Sequence, residues 1–225
     1  FVGQVALRSG PAMASSDRFV ITIRGKGGHA ASPHRTVDPI VVGAHLITAL
    51  QTVVAREVAP NEPAVITVGS LSAGTTNNVI PDTATLTGTV RAFNPDVRQT
   101  IERRIGELAR GITRAMRANA DVDYRVGYPV LVNHPESVAL VKDALGNLLG
   151  PSAIIEREPV MGAEDFAFIL QKVPGAMIHL GVRDRAWGRP RPVHTATFDL
   201  NEAALPVGVA AMAATALRFL EEGVS

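Results

Sequence analysis

The chain has 225 residues, 46% hydrophobic and 19% charged, with 20 glycines and 15 prolines, an ordinary globular composition that excludes a disordered, collagen-like or disulfide-framework protein. Lysine and arginine total 22 against 21 acidic residues, a net charge of +1, so no cationic surplus exists for nucleic acid or an anionic membrane and neither is an expected partner. Cysteine is absent, which removes a cysteine zinc ribbon, a thiol nucleophile and disulfides from these residues without fixing a compartment.

The sequence opens on Phe1 with no charged segment leading into an apolar one, so no signal peptide is expected and the start reads as internal. Ser16 to Arg24 alternates Phe19, Ile21 and Ile23 against Arg18, Thr22 and Arg24, the period of a half-buried strand, and stops at the glycines of GKGGH. From Val37 to Arg56, Ile40, Ala44, Ile47, Leu50 and Val54 recur at helical spacing until Pro60 and Pro63. Two strand-like runs follow, Ala64 to Leu71 and Thr83 to Phe93, joined by SAGTTNNVIPD and able to pair as neighbours. Asn94-Pro95-Asp96 starts a helix with Ile101, Ile105, Leu108, Ile112 and Met116 as its apolar stripe. Val122, Tyr124, Val126 and Tyr128 then alternate as a strand ending at Pro129. The order β-α-β-β-α-β predicts a ferredoxin-like split βαβ arrangement, an antiparallel sheet with both helices on one face.

Beyond Tyr128 the pattern becomes short βα alternation. It predicts a helix over Ser137 to Leu149, a strand over Ala153 to Ile155, a helix over Glu164 to Gln171, a strand over Ala176 to Gly181 and a last helix. These strands are too few for a complete α/β sheet. Ala203 to Leu217, the most apolar stretch, contains Pro206 and Gly208 and reads as a packed helix shorter than a bilayer span.

Several constellations could carry chemistry. GKGGHAASPH gathers Gly25, Gly27, Gly28, His29, Ser32 and His34 after a strand. Its loose match to a dinucleotide fingerprint fails because Pro33 intervenes before any helix. The plainer reading is a glycine turn with exposed histidines; the sharper one is a histidine, held by close backbone, that donates to an oxyanion. Asparagines in TTNNVIPD either bond their own turn or hold a carboxylate. Arg91, at a strand end, is either solvated or a bidentate carboxylate clamp. Glu164 and Asp165 sit at a helix start, where the helix dipole favours anions. His194 lies in a loop, available as a neutral metal ligand. His45 and His179 read as packed histidines and His134 as a loop residue.

Taken in order, SGPAMASSDRFVITIRGKGGHAASPHRTVDPI, PAVITVGSLSAGTTNNVIPDTATLTGTVRAF, MGAEDFAFIL, PGAMIHLG and VHTATFDLNE resemble the hippurate hydrolase, N-acyl-amino-acid amidohydrolase and indoleacetyl-amino-acid hydrolase family of dinuclear metallopeptidases. The resemblance runs almost from end to end. It implies an α/β catalytic domain interrupted by an α+β lid that dimerises: residues 1–15 and 130–225 would be catalytic-domain segments, and residues 16–129 the lid. It implies hydrolysis of the amide bond of a small N-acyl amino acid or peptide-like substrate by a hydroxide bridging two divalent ions (zinc, manganese, cobalt or nickel), with a carboxylate as general base.

In that scheme His29 reaches the active site of the opposite subunit to stabilise the oxyanion. Asn78 and Arg91 grip the substrate carboxylate, His194 is the last metal ligand, and Glu164 and Asp165 stand behind the metal site. The family's other ligands and its catalytic glutamate precede the point that Phe1 matches, so this chain alone is expected to be inactive and to hold no complete metal pair; a separate N-terminal fragment is a possible partner. The alternative is a non-catalytic dimerisation or small-ligand-binding module of the same fold. A nucleotide-binding domain has only the glycine match in its favour. A cytoplasmic location is the default expectation.

Overall fold

The computed structural model describes residues 1–222. In chain order the elements are strands β1 (Val5–Leu7), β2 (Gly10–Met13), β3 (Ser16–Arg24) and β4 (Gly28–His29), then helix α1 (Pro39–Thr52). Strands β5 (Ala64–Ala73), β6 (Val79–Ile80) and β7 (Thr83–Ala92) lead into helix α2 (Pro95–Ala115) and strands β8 (Asn119–Tyr128) and β9 (Leu131–Asn133). Helix α3 (Pro135–Leu149), strand β10 (Ile154–Glu156), helix α4 (Phe166–Leu170), strand β11 (His179–Leu180) and helix α5 (Ala204–Glu222) complete the chain. They divide into two units, one of residues 13–130 with 161–165, the other of residues 1–12, 131–160 and 166 onward.

In the first unit the sheet order is β5-β7-β3-β8 with every neighbour antiparallel. Asp38 starts α1 by accepting the N–H of Ile40 at 2.8 Å, and Asn94 starts α2 by accepting that of Asp96 at 2.9 Å. Phe19, Ile21 and Ile23 of β3 meet Leu86 and Val90 of β7, Leu46 and Leu50 of α1 and Ile101 and Ile105 of α2 in one fully buried core. Each such side chain contributes about 1.5–3 kcal/mol by leaving water.

Two predicted faces are corrected. Ile40 is 40% exposed and Ala44 is exposed, while Val42, Gly43, Leu46 and Leu50 are buried. Apolar residues surround this helix, so periodicity could not choose its face. Gly43 does: a Cβ there would meet Leu71, Ile23 and Leu86 at 3.4–3.8 Å, so the helix lies close to the sheet on its glycine side. In β8, Val126 is 63% exposed because the pairing with β3 shifts register between Ser16 and Arg18. A bulge puts the side chains after it on the other phase. His45 is exposed on α1, where packing was expected.

In the second unit β1 runs parallel to β10 and antiparallel to β11, and β2 pairs with β9. Val5, Leu7, Val138, Val141, Leu145 and Ala211 form its core. Buried Asn133 ties the strands together, donating to the carbonyls of Arg8 at 2.9 Å and Met177 at 3.2 Å and accepting the Met177 N–H at 2.8 Å. His179 is half-buried, and burial, helped by Arg157, lowers its pKa. The helix predicted from Glu164 begins at Phe166, and the strand predicted over Ala176 to Gly181 is paired only at His179–Leu180.

The expectation of a packed last helix holds on one side only. Ala204 and Ala211 of α5 are buried, but Leu205, Val209, Met212 and Leu220 are 55–78% exposed along one stripe. By length and composition alone, Pro39–Glu57 and Ala204–Glu221 are long and apolar enough to cross a membrane.

Candidate active-site residues

The glycine-histidine loop is built by close backbone contacts. Lys26 and Val37 exchange two N–H···O bonds of 2.9 Å, and Asp82 accepts the N–H of Gly27 at 2.8 Å through its side chain and that of Gly25 at 2.8 Å through its carbonyl. A Cβ on Gly25 would lie 2.2 Å from the Val37 oxygen, and one on Gly27 2.6 Å from the Ile80 oxygen. The glycines therefore serve close approach, and no α-helix follows until Pro39, so the dinucleotide fingerprint has no structural counterpart.

These contacts present His29 at the solvent-exposed tip. Its β4 pairs with β6, placing His29 opposite Val79, and the Ala30 N–H bonds the Asn78 carbonyl at 3.0 Å. The Nδ1 atom of His29 accepts the N–H of Ala31 at 3.0 Å. A neutral imidazole that accepts through Nδ1 carries its proton on Nε2, so the outward nitrogen is a hydrogen-bond donor. Asn78 is exposed beside it, its Oδ1 accepting from Thr76 at 3.2 Å. The structure thus brings His29 and Asn78 together.

It does not bring Arg91 to them within one chain. Thr83, at the tip end of β7, pairs with Arg24, whereas Arg91 lies at the far end opposite Val65. At about 3.3 Å per residue the strand separates the two by roughly 26 Å, so Asn78 and Arg91 of one chain cannot share a carboxylate. Arg91 is half-buried, and no carboxylate among the described residues pairs with it.

Glu164 and Asp165 precede the short α4. Glu164 is partly buried and accepts the Asp165 N–H at 3.2 Å, while Asp165 is exposed. His194 belongs to the other unit, exposed in a loop with φ +63°. That left-handed backbone is uncommon for a side-chain-bearing residue, and strain of this kind gathers at functional sites. In the same loop Arg191 stacks over Trp187 at 4.5 Å and pairs with Asp199, lining an open cavity of about 800 Å³ with Arg189 and Phe198.

Among the described residues no three His, Asp or Glu side chains gather where they could hold a metal ion. A catalytic metal draws about three ligands from protein, so the donors present do not fit a metal pair.

Sequence reasoning passed over the buried ion pair of Asp17 and Arg98. Its signal was an acid in phase with Phe19, Ile21 and Ile23 on the core face of β3. Burial pushes the Asp17 carboxyl up, but hydrogen bonds from Arg98, the Gly127 N–H and Tyr124 outweigh it and hold the group below the usual carboxylate range.

The chain is similar to Thermostable carboxypeptidase 2 of Saccharolobus solfataricus, 37% identical over 96% of this chain and 55% of that one. It is 40% identical to N-acetyl-L-cysteine deacetylase of Bacillus subtilis over 91% of this chain and 47% of that one. Among solved structures it is similar to the Bacillus subtilis YXEP protein, a dinuclear metal binding peptidase, with a TM-score of 0.78 and 31% identity over 98% of this chain and 54% of that one. The chain therefore spans about half the length of the relatives it matches. Residues 9–218 match peptidase family M20/M25/M40, and the chain belongs to that family.

Proposed function

We propose that this chain is the substrate-gripping and dimerising part of an enzyme that hydrolyses the amide bond of N-acyl amino acids or related small amides, and that it is inactive alone. The observation that carries the reading is the presentation of His29: a glycine-built ribbon holds the ring at an exposed tip with Nδ1 occupied by the Ala31 N–H. Its Nε2–H is free to stabilise the oxyanion that develops as an amide carbonyl becomes tetrahedral. Relatives named as a carboxypeptidase and a deacetylase support amide hydrolysis as the reaction class.

Arg91 would orient the substrate by a bidentate grip on its free carboxylate. Because His29 and Asn78 stand at the opposite end of β7 from Arg91, a complete site takes His29 and Asn78 from one subunit and Arg91 from the other. A homodimer through the ferredoxin-like lid supplies that arrangement, and the outer edge of β5, unpaired in this sheet, together with exposed Ile40 and Val41 of α1, offers the surface. A metal pair of the kind named for the Bacillus subtilis structure requires ligands beyond those described; the exposed stripe of α5 is the face against which further α/β segments would pack.

The test is release of free amino acid from N-acetyl and N-benzoyl amino acids. The chain alone should give none, and the chain joined behind the preceding segment of the deacetylase relative should give turnover that depends on added divalent metal. Ligand binding without turnover in the folded, metal-loaded fusion would identify a non-catalytic module instead.

A further inference from the structure

Asp17 is a fully buried acid whose carboxylate is saturated. One oxygen accepts from Arg98 Nε and from the Tyr124 hydroxyl, each at 2.8 Å; the other accepts from the Gly127 N–H at 2.8 Å and from Arg98 Nη2. Arg98 also donates to the Gly127 carbonyl at 3.3 Å. The bulge in β8 takes Gly127 out of the regular ladder, and Asp17 and Arg98 together occupy both its backbone groups. A Cβ on Gly127 would lie 2.2 Å from the Ser16 oxygen, so only glycine fits the bulge.

The same residues fix the backbone on both sides of Arg91. Asp17 is paired with Val90, the residue before it, and Ser15 donates its N–H at 2.9 Å and its hydroxyl at 3.0 Å to the carbonyl of Ala92, the residue after it. Past Ala92 the chain turns through the Asn94 cap into α2, and Arg98 returns from that helix to Asp17. The segment from Val90 to Arg98 is thus closed on itself at Asp17, with Arg91 inside the loop. A buried ion pair stabilises no better than apolar residues of the same volume; what this one adds is a fixed geometry.

We propose that Asp17 is a positioning residue for Arg91, holding the end of β7 through Arg98 and the β3 pairing so that the guanidinium is set for a bidentate grip on the substrate carboxylate. This rests on the reading of Arg91 given above. Replacing Asp17 leaves Arg91 in place but frees the backbone that aims it.

The experiment compares an N-acetyl amino acid with its C-terminal amide as substrates of the hydrolytically active protein carrying this chain. The variants are Arg91→Ala, Asp17→Asn and the triple Asp17→Leu/Arg98→Met/Tyr124→Phe, which removes the whole polar cluster should the single variant fold poorly. Arg91→Ala should raise KM for the free acid about 10²-fold, the loss of both charge-assisted hydrogen bonds of the grip, and both Asp17 variants should raise it about tenfold, the loss of one of the two. The Asp17 variants should leave kcat within about twofold, and none should change KM for the amide. A merely structural Asp17 would lower kcat for both substrates through a smaller active fraction and leave KM alone, overturning the proposal. A KM raised by Arg91→Ala but by neither Asp17 variant overturns the positioning role while keeping the carboxylate clamp, and an unchanged KM in Arg91→Ala overturns both.

Discussion

Gly25→Ala tests whether the loop geometry, and not the mere presence of an imidazole, makes His29 useful. The new Cβ would lie 2.2 Å from the Val37 oxygen and 3.1 Å from Pro39 Cδ. An ordinary carbon-oxygen contact needs about 1 Å more, so the Lys26–Val37 bridge must open and lose its two N–H···O bonds of 2.9 Å. At about 0.5–1.5 kcal/mol each, that is about 1–3 kcal/mol of local stability. The released loop no longer holds His29 on its ribbon, so kcat in the active protein should fall toward that of His29→Ala, itself lower than wild type by about 10²–10³ for one lost oxyanion donor. Because Gly25 acts through His29, the double variant should turn over no more slowly than His29→Ala alone, a non-additive cycle. The assay is kcat for an N-acetyl amino acid in the four proteins, with urea melts run alongside. A Gly25→Ala protein with kcat within about twofold of wild type, or a double variant slower than His29→Ala by the full single-variant factor, refutes the reasoning.

Asp17→Asn leaves Arg98, with only 17% of its side chain exposed, without its anion, and should lower stability by about 3–5 kcal/mol in urea melts at pH 7. The Asp17 carboxyl is held below its ordinary range, so its contribution is complete above the unfolded-state pKa of about 4 and is lost as pH falls through the lower folded value. The gap between wild type and Asp17→Asn should therefore narrow below about pH 4; a gap constant with pH would contradict the ionised pair. On α5, Met212→Glu with Leu220→Lys changes side chains 65% and 78% exposed, so chain stability should move by no more than about 0.5 kcal/mol while binding of a hydrophobic dye falls. A large loss of stability would show that this stripe is already covered in the chain alone.

Residues whose partners lie on their own element were legible in the sequence. The alternation of Phe19, Ile21 and Ile23 gave β3, and Asn94-Pro95 gave the start of α2 to the residue. The motif loop and Arg91 were also visible, because glycine, proline and strand-end positions signal locally. What distant partners decide was not. The buried face of α1 is chosen by Gly43 against Leu71 and Leu86, and the exposure of Val126 follows from a bulge whose carboxylate partner, Asp17, is far away in sequence. The separation of Asn78 from Arg91 likewise appears only when the strands are laid in register.

The proposed site combines His29 of one subunit with Arg91 of the other, and subunit mixing measures this most directly. His29→Ala and Arg91→Ala chains, each in the active protein and each nearly inactive, are co-expressed and assayed for hydrolysis of an N-acetyl amino acid at low substrate concentration. In a two-fold dimer half of the subunit pairs are mixed, and one of their two sites regains both intact residues, so about a quarter of wild-type activity should return. If each chain used its own His29 with its own Arg91, no mixed dimer would hold an intact site, and activity remaining at the level of the separate variants would contradict the account.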